Sequence, residues 1–113
     1  MARHVFMIAT SPPPGESDDY GDWYEHHHMP DVLKVPGFVS AQRFLLAAGP
    51  HDDPAIPRYM TIFEIESDDR DGVLAELARR AGRGEMPLYA GSGAKTVLRL
   101  VGSAVTGKMV AET

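Results

Sequence analysis

Apolar and polar positions divide the chain into segments of different period. Arg3 to Thr10 holds a short apolar run around Val5, Phe6, Met7 and Ile8, too brief for a stable helix and suited to a strand buried on both faces. Ser11-Pro12-Pro13-Pro14-Gly15 ends it as a stiff loop. A helix is expected to begin near Ser17 or Asp18, where Asp18 and Asp19 can cap it and complement its N-terminal dipole. It runs through Asp22-Trp23-Tyr24-Glu25-His26-His27-His28-Met29 and should kink or stop at Pro30, which cannot donate to the His26 carbonyl and crowds it. Val35-Pro36-Gly37 closes the segment.

Phe38 to Leu46 alternates as a second strand, with Phe38, Ser40, Gln42, Phe44 and Leu46 on one face and Val39, Ala41, Arg43 and Leu45 on the other. Ala47 to Pro57 is a long connection, suited to a hairpin tip or flap. Arg58 to Glu66 is a third strand. Asp68 or Asp69 caps a second helix to about Ala81, in which Val73, Leu74, Leu77, Ala78 and Ala81 keep a 3.6 period; Gly72 weakens it for no reason visible in the sequence. Arg83 to Gly93 is irregular, with Met86, Leu88 and Tyr89 in need of burial, as a lid over a pocket or as a docked loop. Lys95 to Val101 is a fourth strand, and Gly102 to Thr113 is a tail that swaps onto a partner or frays. The order βαββαβ predicts an α+β fold: a four-stranded antiparallel sheet with both helices on one face. The strands are apolar on both faces, so the bare side should be covered by an identical subunit, giving a homodimer.

With 113 residues the chain is expected to form one domain, residues 1–113. A formal charge of −5 without a Lys/Arg stripe argues against a nucleic-acid partner. The absence of cysteine removes disulfides, thiolate nucleophiles and cysteine-type zinc sites. No stretch approaches the roughly 20 apolar residues of a membrane span, and no signal peptide is evident; no membrane partner and a cytoplasmic location are expected.

Candidate chemistry gathers on the first helix. At ~100° per residue, Tyr20, Trp23, Tyr24, His27 and Asp31 share an arc, His28 lies at its margin, and Asp22, His26 and Met29 point away. Aromatic residues at this spacing commonly fill a core, and core and pocket wall are compatible. An imidazole titrating near pH ~6.5 beside a carboxylate and aromatic rings suits general acid/base work at neutral pH. His27, His28 and Asp31 or Glu25 also offer metal ligands, but too few and too generically spaced to define a site. No phosphate loop, dinucleotide fingerprint or Ser-His-Asp order competes.

Trp23-Tyr24-x-x-His27-His28-Met29-Pro30-Asp31, then Val35-Pro36-Gly37-Phe38 and Arg58-Tyr59-Met60-Thr61-Ile62-Phe63-Glu64, resembles the EthD-like branch of the dimeric α/β-barrel superfamily. The resemblance implies a ferredoxin-like protomer, a dimer through sheet faces, and a pocket between sheet and helices that His28 faces, with His27 as second choice. It also implies small-molecule chemistry without metal or organic cofactor on aromatic, polyketide-like or lactone substrates, as a lyase or decarboxylase, cyclase or isomerase. The alternatives are a non-catalytic ligand-binding or accessory protein using the same pocket and a cofactor-free phenol monooxygenase. In such a site His28, His27 and Asp31 are the candidate catalytic residues. Trp23 and Tyr24 would wall a flat substrate, Tyr59 or Arg43 would hold an oxyanion or carboxylate, and Tyr89 would close over it.

Overall fold

The computed structural model of the protein describes residues 1–89 and 94–112. Strand β1 (Arg3–Ser11) leads to α1 (Ser17–Trp23), which continues through a widened turn (Tyr24–His28) into α2 (Met29–Leu33); β2 (Phe38–Leu45), β3 (Tyr59–Glu66), α3 (Arg70–Gly82) and β4 (Lys95–Ser103) follow. The sheet order is β2-β3-β1-β4 and all neighbours are antiparallel. Among the described residues no helix is long and apolar enough to cross a membrane.

The helices cover one sheet face. Phe6, Ile8, Phe38, Phe63 and Ile65 from the strands meet Val32 and Val35 from the α2 region and Val73 from α3, and Met86 joins them from the following segment. On the opposite face Met7 pairs with Ile62 and Leu100, and Phe44 with Met60, an apolar band open to solvent in the single chain. Leu98 and Leu100 are each 45% exposed there. Beyond β4 the chain to residue 112 is irregular, with Val105, Met109 and Val110 exposed.

Two local irregularities correct the sequence expectations. The first helix neither kinks to a stop nor ends at Pro30: its turn over Tyr24–His28 opens to π geometry, closed by the Met29 N–H donating to the Tyr24 carbonyl. Pro30 then sits in the first turn of α2, where a missing N–H costs least. The widened turn absorbs about one residue, so everything after it is rotated back by ~100°. Val32, off the arc in uninterrupted α phase, is thereby fully buried. In β2, the register with β3 shifts between Phe38 and Ser40. The shift brings Ala41 and Arg43, rather than Ser40 and Gln42, onto the helix side with Phe38, opposite the buried Phe63 and Thr61.

The helix ends differ in their chemistry. Glu16, not Asp18 or Asp19, precedes α1 and makes no side-chain cap; the two aspartates lie inside the first turn, where they complement the dipole. Asp69 caps α3, its Oδ1 accepting from the Gly72 N–H at 3.0 Å. This accounts for Gly72, since a Cβ there would overlap the capping carboxylate. Gly37 is needed twice over: its φ is +104°, and a Cβ would lie 2.5 Å from Val73 Cγ2.

Candidate functional site

A cavity of about 500 Å³ lies between the sheet and the helices. Its floor is Phe6 and Ile8 of β1, Phe63 of β3 and Val101 of β4; Leu74, Leu77, Ala78 and Ala81 of α3 form one wall, and Val32 and Met86 another. The α3 helix, which in sequence looks purely structural, is thus a cavity wall. Two polar side chains complete the lining, His28 and Arg99.

The widened turn positions His28. Its ring stacks on Trp23 at 5.2 Å between centroids and 22° between planes, and lies 4.9 Å from the Tyr24 ring. Burial lowers its pKa below the ordinary 6.5, against a weaker upward pull from the Asp31 carboxylate. At neutral pH His28 is therefore an uncharged imidazole with a free base on the cavity wall. Asp31 is half-buried and ion-paired with Lys34 at 3.4 Å, so it acts on His28 through space as a tempering charge.

The other sequence candidates occupy different places. His27 is exposed on the outer side of the helix and lines a separate depression with Asp22, Trp23, His26, Leu88 and Tyr89. His26 is solvated, its Nδ1–H donating to the Asp22 carbonyl at 2.9 Å. Trp23, expected to wall the substrate, lines the outer depression and not the cavity; one ring face lies against His28, and its Nε1 is buried with no hydrogen-bond partner among the described residues. Tyr24 is core: its hydroxyl lies beside Thr61 without a well-formed hydrogen bond, and burial pushes its pKa up. Tyr89 packs edge-on against Tyr20 at 5.1 Å and donates its hydroxyl to Glu16 at 2.8 Å. Burial and then the Glu16 carboxylate push its pKa up to about 12. The expected loop from Arg83 to Gly93 is thus docked at Met86 and Tyr89, while residues 90–93 lie outside the described part.

Arg43 and Tyr59 meet each other away from the cavity. The guanidinium carbon of Arg43 lies 3.9 Å from the Tyr59 ring centroid and 5.1 Å from that of Tyr24, and Nη1 is 3.8 Å from a Glu25 carboxylate oxygen. Gly21 leaves room for this, a Cβ there being 3.2 Å from Nη1. They border a polar cleft with Ser17, Asp18, Asp22 and Glu25, whose carboxylates oppose an anion. Among the described residues no group of three or more metal-ligating side chains comes together. Sequence inspection missed Arg99, whose face is set only by its pairing opposite Ile8.

No protein-family model matches the chain, and no curated protein does. Solved structures do match. A dimeric ferredoxin-like protein from an uncultured marine organism superposes with a TM-score of 0.65 at 12% identity, over 94% of this chain and 98% of that one. An EthD-like protein from Ralstonia eutropha gives 0.61 at 14% identity, over 96% of each chain. The chain shares the ferredoxin-like fold of these structures. A variant of MhuD solved with two manganese protoporphyrin IX molecules in each active site also superposes, with a TM-score of 0.51 at 21% identity over 94% of this chain and 99% of that one. In this chain the sheet face bearing the cavity is the helix-covered one, and the apolar band is the uncovered one.

Proposed function

We propose that the protein is a cofactor-independent small-molecule enzyme in which His28 works as general base and acid on a flat, enolisable or phenolic substrate. The observation that carries this is the placement of an imidazole, stacked on Trp23 and disfavoured from protonation by burial, in the wall of a cavity of substrate size whose other lining side chains are apolar except Arg99. A proton leaving carbon or a phenolic oxygen passes to the free nitrogen of His28. The imidazolium so formed is poorly solvated and returns the proton at another atom of the same substrate. That sequence serves an isomerase or cyclase, and a decarboxylating lyase uses the same imidazolium to protonate the carbanion left after carbon dioxide departs. Apolar walls from Phe63, Leu77 and Met86 exclude water and favour a flat aromatic or polyketide-like body. The fold lends support, since MhuD holds an active site within it.

The enzyme is proposed to act as a homodimer joined through the open sheet face. Its support is the contiguous apolar band of Met7, Phe44, Met60, Ile62 and Leu100, together with the dimeric state of a ferredoxin-like neighbour.

Thermal-shift screening of wild type and His28→Ala against aromatic acids, hydroxylated quinones, lactones and β-keto compounds, with product analysis of each hit, tests the catalytic assignment. Conversion by wild type and binding without conversion by the variant is the expected outcome. Equal binding by both proteins with no conversion would replace the enzyme by a ligand-binding module using the same cavity.

A further inference from the structure

The cavity lining holds a second polar group that proton transfer by His28 leaves unused. Arg99 lies on the edge strand β4 opposite Ile8, and so on the helix-covered side of the sheet. Its guanidinium carbon is 5.4 Å from the centroid of the Phe6 ring, a seat that uses the ring face and none of the five N–H donors. Among the described residues no carboxylate lies within ion-pair distance of Arg99 and no side-chain or backbone acceptor takes a hydrogen bond from it. Every other arginine except Arg83 has a carboxylate partner. The cavity lining contains no carboxylate at all, so Arg99 is its one fixed charge. A chain of net charge −5 repels anions in general, and a single unpaired cation, solvent-exposed and bordering an apolar recess, reverses that locally.

Building on the proposed use of this cavity, we propose that Arg99 is its anion-binding end and that the substrate is a flat apolar molecule carrying one carboxylate. The carboxylate takes two N–H bonds from the guanidinium, while the apolar body lies along Phe6 and Phe63 toward His28. Arg99 is then a substrate-orienting residue: it fixes which end of a nearly featureless molecule faces the imidazole.

The test uses two probes of the same shape, 2-naphthoate and 2-naphthamide, titrated calorimetrically into the full chain. Wild type should bind the carboxylate about tenfold more tightly than the amide, the effect of a charge-assisted pair at an exposed arginine. Arg99→Met should abolish that preference by weakening naphthoate alone, Arg99→Lys should retain part of it, and Arg83→Met should leave it intact. In wild type, added salt should weaken naphthoate and spare naphthamide, a comparison that needs no variant. A preference that survives Arg99→Met, or equal binding of the two probes by wild type, overturns the assignment of Arg99 and leaves the cavity's proposed use standing. Failure of wild type to bind either probe overturns both.

Discussion

His28 sits where two effects oppose each other, and their balance sets its chemistry. Desolvation against Trp23 and the cavity wall favours the neutral ring, and the charge of Asp31 favours the protonated one; burial is the larger effect. Trp23 is the chain's only tryptophan and touches this ring directly, so it reports the protonation of His28. Its emission should titrate with a midpoint below 6.5, lose that transition in His28→Gln, and keep it in His27→Ala, whose ring lies on the outer surface. Stability follows the same group. Between the lowered folded pKa and the ordinary value of 6.5 the unfolded chain binds more protons, so the contribution of His28 rises with pH up to about 6.5 and levels off above it. Acidification from pH 7 should therefore lower the melting temperature more in wild type than in His28→Phe; an equal or steeper fall in the variant would show that His28 is not the group kept neutral. The sequence alone identified a histidine of this helix as the candidate and, by phase, would have chosen His27. Arg99 escaped notice because a charged residue between Leu98 and Leu100 on an edge strand looks like an ordinary solvent-facing position.

At the scale of elements, the strand and helix patterns of β1, β3 and α3 were legible because period and caps agreed with burial. What the pattern could not carry was a change of register inside an element. The π turn before Pro30 and the bulge at the start of β2 each insert a residue, and each turns the side chains beyond it to a new face. Those two insertions decide which histidine reaches the cavity and bring Arg43 to the helix side. The link between β2 and α3 is equally local: Gly37, in the left-handed region, lets Val73 close over the turn. Gly37→Ala should lower stability by about 2–4 kcal/mol, combining backbone strain with the clash at Val73. The urea midpoint should fall while the slope stays constant. A change below about 0.5 kcal/mol, the scale of a neutral surface substitution, would mean that the contact with Val73 is loose.

For the whole molecule, one sheet separates two surfaces with different work. The helix-covered side holds the core and the cavity, and the open side holds the apolar band around Ile62 and Leu100. That division was legible from strands apolar on both faces, whereas cavity shape was not, since it depends on how α3 and Met86 lean over the sheet. Ile62→Lys, at the centre of the band, should convert a dimer to a monomer by light scattering and leave the Trp23 titration intact, because the substitution lies across the sheet from His28. A wild type that is already monomeric at micromolar concentration would refute the dimer. The proton transfer proposed for His28 in the sheet–helix cavity is read out by single-turnover rates on a converted ligand. His28→Ala should lose about 10²–10⁴-fold in the chemical step while still binding the ligand, and His27→Ala should stay within about twofold of wild type. A His28→Ala protein that turns over at the wild-type rate, or a larger loss in His27→Ala, would contradict it.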